Sequence, residues 1–216
     1  MGNNTMDTSQ GSYKTLKILM ILGVYAAVTS YRNSAVAIYL TKMGASLEEV
    51  GLNGVGQAIA ICVFAMFTPR LINKVGYKAS CVFALMVECL GVLSLAFSDN
   101  TLVWFIARAL LGISTATFFA AGEAWLGASL DDNNRGRTMG VYTIILGGGL
   151  ALGPLVFGVE SILSASRFLM FWLLAGLLTL LLSFTSSTRG QSSSERIESG
   201  FLVFCSRPHL SLCFLF

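Results

Sequence analysis

Six apolar stretches dominate this sequence, over residues 16–40, 50–68, 79–97, 102–124, 139–159 and 168–184. About 20 apolar residues in a helix cross the hydrocarbon of a bilayer. A helix is also one of the few structures that bonds all its own backbone groups where no water is present. The chain is 55% hydrophobic and only 12% charged, whereas soluble domains carry roughly a quarter charged residues. The shortage of charge decides the matter: there is too little to cover a globule, so lipid is part of the solvent. The expected fold class is an all-α integral membrane protein, a bundle of six transmembrane helices.

The first stretch is too long for the 7–15-residue apolar region of a secretory leader, and no small-residue cleavage site follows it, so it reads as a retained helix. Residue six is Met6, not the Ser or Thr of a myristoylation signal. The net charge of +3 is small and is spread between the apolar runs, which argues against a nucleic-acid partner. Cys62, Cys81 and Cys89 lie inside apolar runs, Cys205 and Cys213 lie in the tail, and none forms a CxxC pair. His209 has no ligand neighbours. Neither a disulfide framework nor a metal site is expected. G-x-S-x-G, H-E-x-x-H and P-loop patterns are missing from the sequence, so an enzyme and a cofactor are not expected either.

Basic residues set the orientation. With the N-terminus inside, Lys14, Lys17, Arg70, Lys74, Lys78, Arg135, Arg137, Arg189, Arg196 and Arg207 fall on the inner side, against Lys42 and Arg167 outside. The positive-inside rule then places both termini in the cytoplasm and the bundle in the cell (plasma or inner) membrane. Three parts are expected: a cytoplasmic tail over 1–13, the six-helix domain over 14–185, and a Ser-rich linker with a short tail over 186–216. The apolar residues 201–216 are interrupted by Arg207, Pro208 and His209 and are too few for a seventh span. They read as a truncated or aberrant end.

Between the second and third stretches comes Pro69-Arg70-Leu71-Ile72-Asn73-Lys74-Val75-Gly76-Tyr77-Lys78. This resembles the loop signature G-x-L-x-D-R-x-G-x-[RK] of the major facilitator superfamily. Leu71, Lys74, Gly76 and Lys78 match; Asn73 stands where the family has an acid and Pro69 where it has a glycine. Helix four, with Arg108, Gly112, Ser114 and Ala116, is similar to the family's R-x-x-x-G-x-[GSA]-x-[GA]. Glu123-Ala124-Trp125-Leu126 followed by Asn133-Asn134-Arg135-Gly136-Arg137 resembles one bacterial branch of it. Gly149, Gly153 and Pro154 of helix five resemble its G-x-x-x-G-P segment, in which proline frees a carbonyl and kinks the helix. Glycines gather in helix two (Gly51, Gly54, Gly56) and helix five (Gly147, Gly148, Gly149, Gly153, Gly158). Those are the second helices of two three-helix groups, the placement expected if helices 1–3 and 4–6 form a 3+3 inverted repeat.

The resemblance implies the N-terminal six-helix half of a twelve-helix transporter. It would move a small-molecule substrate by alternating access, with proton-coupled efflux as the leading form. The second half would be missing from this chain or supplied by a homodimer. The other reading is a truncated membrane protein that transports nothing and acts only by binding a partner. Arg32, Asn33, Gln57 and Arg108 are the candidate substrate contacts, since intramembrane charges face a wet cavity or a partner. Arg108 lies roughly 10 Å in from the outer end of its helix. Two converging arginines favour an anionic substrate or a carboxylate relay; alternatively, Arg32 reaches the outer interface and Arg108 pairs locally. Glu88, midway along helix three, is either a coupling residue or half of a structural pair. Arg70, Asn73, Lys74, Gly76, Lys78, Glu123, Arg135 and Arg137 form the candidate gating group. In it, Glu123 is expected to pair with Lys74, Lys78 or Arg137, as a gate or as a simple interfacial pair.

Overall fold

The computed structural model describes residues 4–98, 100–130 and 134–163, and everything it describes is helix or short turn. The sixth expected span, 168–184, and the tail lie outside the described residues. Five helices run in sequence: α1 (Asn4–Lys42), α2 (Leu47–Val75), α3 (Tyr77–Phe97), α4 (Thr101–Ala128) and α5 (Arg135–Leu163).

Local chemistry sets the turns. After α1 the chain reverses at Gly44, whose φ of 88° is open to a residue without a Cβ. Ser46 then caps α2: its side chain accepts from the Glu49 amide at 3.2 Å, and the Glu49 carboxylate accepts from the Ser46 amide at 2.8 Å. Asn100 caps α4 by accepting from the Leu102 amide at 2.9 Å.

The stretch 69–78, expected as a loop, is a correction. Helix α2 continues through Pro69 to Val75, α3 starts at Tyr77, and Gly76 alone, at φ 85°, turns the chain. Proline removes a single helical hydrogen bond, and in lipid nearby hydroxyls and helices compensate. The carbonyl so freed is that of Ala65; the neighbouring Thr68 hydroxyl donates to the Phe64 carbonyl at 2.9 Å. The cations of the signature therefore ride on helix ends.

The α1/α2 turn and the Gly76 turn lie at opposite ends of α2, and are called the Gly44 end and the Gly76 end below. Among the described residues, α2, α3, α4 and α5 are long and apolar enough to cross a membrane. Helix α1 is long enough but more polar, because Thr29, Tyr31 and Arg32 are buried against other helices and do not meet lipid. Its main partner is α5, while α4 packs on both α3 and α2. The pairing of α1 with α5 and of α4 with α2 is what two three-helix repeats produce when the first helix of each packs on the second of the other.

Close approach is concentrated at a few glycines. A Cβ on Gly149 would meet the Gly23 carbonyl at 2.5 Å, and one on Gly153 would run into the backbone of Tyr31, so α5 lies directly on α1. In α4, Gly112 lets the helix rest on the Gln57 backbone and Ala60 of α2. The α2 glycines Gly51 and Gly54, expected as packing sites, have open space around them.

Candidate functional site

The core is apolar around a polar centre. Leu22, Tyr25, Leu85, Leu111, Trp104 and Phe118 are buried, and Tyr25 stacks on Phe118 with ring centroids 3.8 Å apart. Within this shell, Arg32 of α1 forms an ion pair with Glu88 of α3 through Nη1 and Oε1. The two side chains are 1% and 0% exposed. Each end of the pair is further bonded. Tyr25 Oη donates to Glu88 Oε2 at 2.9 Å, and Arg32 Nη2 donates to Thr115 Oγ1 at 3.1 Å. Tyr25 Oη and Ser114 Oγ share a hydrogen bond at 3.2 Å, and Ser114 donates to the Ala84 carbonyl at 2.7 Å. One connected network thus ties α1, α3 and α4 together, and a buried charge pair persists only with such support.

Arg32 therefore does not reach an outer interface, as one expectation had it; it turns inward because Glu88 lies there and water does not. Arg108 of α4 is also buried, at 7% exposure, yet its Nε and Nη1 have no hydrogen-bond partner among the described residues. It is near enough to Arg32 for the two positive charges to act on each other. Thr29 Oγ1, Arg32 Nε, Asn33 Oδ1 and Asn53 Nδ2 are likewise buried without partners. Gln57 is buried against Gly112 on the α2–α4 seam. Of the four candidate contacts, then, Arg32 and Arg108 share one electrostatic neighbourhood. Asn33 adjoins it on α1, and Gln57 belongs to the neighbouring seam.

Proline chemistry supplies a second polar contact. Pro154 has no N–H, so the carbonyl four residues earlier, on Leu150, loses its helical partner. Ser30 of α1 donates to that carbonyl at 2.6 Å. The kink group Gly149, Gly153 and Pro154 thus meets α1 by shape and by one hydrogen bond.

The expected gating residues gather at the Gly76 end. Asn73, Lys74, Arg135 and Arg137 are exposed there. The Arg70 guanidinium lies 5.8 Å from the Phe67 ring centroid, and the Lys78 ammonium 5.7 Å from that of Trp125. Glu123, expected to pair with a cation, accepts from Tyr142 Oη of α5 at 2.6 Å. That bond joins α4 to α5 across the end of the bundle.

Sequence reasoning missed Tyr25, Ser30, Asn53, Thr115 and Tyr142, and read Ser114 only as a small residue of the helix-four motif. Tyr25 was open to detection, because it lies seven residues before Arg32 on the same helix face. The Ser and Thr residues carried no such signal, since hydroxyls inside helices ordinarily bond their own backbone. No group of three or more His, Cys, Asp or Glu suited to a metal occurs among the described residues.

A family model described as Major Facilitator Superfamily matches residues 18–216. The chain is 25% identical over 119 residues to the uncharacterized MFS-type transporter YfkF of Bacillus subtilis, covering 55% of this chain and 30% of that protein. It is 35% identical over 115 residues to the chromaffin granule amine transporter of Rattus norvegicus, covering 51% of this chain and 21% of the other. With the uncharacterized MFS-type transporter YcaD of Salmonella newport the identity is 26% over 183 residues, covering 84% and 47%. In each case the matched stretch is less than half of the relative's own length.

Proposed function

We propose that this chain, which belongs to the major facilitator superfamily, forms one wall of a secondary transporter that moves a small solute by alternating access. The family is one of multi-pass membrane transporters, and the relatives are named as transporters. The observation that carries the reading is the buried charge at the centre of the bundle. Ionisable groups at membrane depth are costly and mark solute or proton paths. Arg32, Glu88 and Arg108 are such groups, held on three different helices.

The coupling we favour is to protons, in the direction of efflux, with Glu88 as the group that takes up the proton. Protonation would cancel its charge and loosen the Arg32 pair, and the Tyr25 and Ser114 hydroxyls stand ready to rebond. One relative is named for amines, but the spare arginine argues against carrying a cationic substrate over to this chain. The basic residues at the Gly76 end favour a cytoplasmic location for that end.

The central cluster needs a facing wall. Helices α2 and α5 leave apolar faces open, with Leu52, Met66, Ile144 and Leu155 all exposed, and a second half or a second copy of this chain would cover them. The same open faces favour the competing reading of a membrane protein that binds a partner and carries nothing.

Reconstitution separates the two. The full chain is placed in liposomes loaded with a pH dye, and solutes are screened for proton movement in the opposite direction. Solute-driven proton flux that falls at least tenfold in Arg108→Ala supports transport. A folded, reconstituted protein without flux for any solute leaves partner binding as the function.

A further inference from the structure

Among the described residues, the centre of the bundle holds more positive charge, and more hydrogen-bond donors, than is neutralised. Arg32 and Glu88 cancel each other, and both carboxylate oxygens of Glu88 are already engaged, one by Arg32 and one by Tyr25. Arg108 is left over. Its Nε and Nη1 are buried and unpartnered, and so are the donors Arg32 Nε and Asn53 Nδ2. Asn53, 1% exposed, lies one helical turn before Gln57, and Arg108 lies one turn before Gly112. Gln57 and Gly112 are in contact, and α2 and α4 both run from the Gly44 end to the Gly76 end. The register therefore brings Asn53 to the level of Arg108.

Surplus donors around one surplus positive charge are complementary to a single acceptor-rich negative group. A cation or a neutral apolar solute would leave those donors unbonded and the arginine uncompensated, which is the costly outcome in a dry site. A carboxylate removes both defects, and a guanidinium matches its two oxygens geometrically.

We propose that Arg108, with Asn53 beside it and the Arg32–Glu88 pair behind it, binds a solute bearing one carboxylate. The inference deepens the transport reading and rests on it for the purpose of the solute, but the binding event stands without flux.

The test uses the full chain purified in detergent, in low-salt zwitterionic buffer, with three probes of one shape: benzoate, benzyl alcohol and benzylamine. Thermal unfolding is followed against each. Benzoate is expected to raise the unfolding temperature by several degrees, while the alcohol and the amine do not. In Arg108→Gln the benzoate response should weaken at least tenfold in midpoint concentration, and Arg108→Lys should retain part of it. Without benzoate, Arg108→Gln should unfold at the same or a higher temperature, because it removes an uncompensated charge. The site is overturned if wild type ignores benzoate, if benzylamine stabilises equally, or if Arg108→Gln keeps the response. A lower unfolding temperature of Arg108→Gln in probe-free buffer also overturns it, since a carboxylate of the protein would then already neutralise Arg108. Benzoate binding without flux contradicts only the transport reading, and flux without benzoate binding contradicts only this site.

Discussion

The centre of the bundle and its Gly76 end treat charge in opposite ways. At the centre, Arg32 and Glu88 are fully buried and depend on each other, on Tyr25 and on Thr115. At the Gly76 end, Lys74, Arg135 and Arg137 are exposed, and Arg70 and Lys78 lie over aromatic rings. The difference is one of solvent. Where water is excluded, a charge without its counter-charge is expensive; where water is present, the same charge is screened and gains little from any partner. The helices divide along the same line: the most apolar window of α4 is 56% buried and that of α2 only 11%. Ion pairing is thus concentrated in α1, α3 and α4, and the outward faces of α2 and α5 are apolar surface.

The contrast predicts a graded series. The largest effect belongs to Arg32→Ala, which strands Glu88 in a dry core; it should lower unfolding stability in detergent by about 3–5 kcal/mol. Equal stability of this variant and wild type would erase the distinction between the two regions. Next is Gly153→Leu, which forces a side chain into the Tyr31 backbone and should cost about 1–3 kcal/mol by overpacking, read by the same unfolding curve. Ser30→Ala leaves the Leu150 carbonyl without its donor and should cost about 0.5–1.5 kcal/mol. A double variant that adds Pro154→Ala, restoring the helical N–H, should recover most of that loss. The smallest effect is Lys74→Ala at the exposed end, within about 0.5 kcal/mol of wild type. A large loss there would show that the Gly76 end is held by pairing as the centre is.

Much of the helix plan was legible because apolar length in lipid leaves few alternatives. Arg32, Glu88 and Arg108 stood out for the same reason, as charges inside apolar runs. Which of the two arginines Glu88 joins was not legible. That depends on how α1, α3 and α4 are rotated about their axes, and a linear pattern of mostly apolar residues fixes rotation weakly. The turn at 69–78 was misplaced because basic residues at a membrane surface look alike on a loop and on a helix end. Glycine content alone misled in α2, where Gly51 and Gly54 face open space, and guided correctly in α5, where Gly149 and Gly153 meet α1. Tyr142, the partner of Glu123, gave no local sign, since the bond spans two helices.

A double-mutant cycle on the central pair tests the account most directly. Arg32→Met, Glu88→Leu and the combined variant are unfolded alongside wild type under identical conditions. Each single change should be strongly destabilising, and the double variant should lose about 2–3 kcal/mol less than the sum of the two single losses. Two single losses that simply add in the double variant would contradict the account, for they would mean that the two charges do not hold each other inside the bundle.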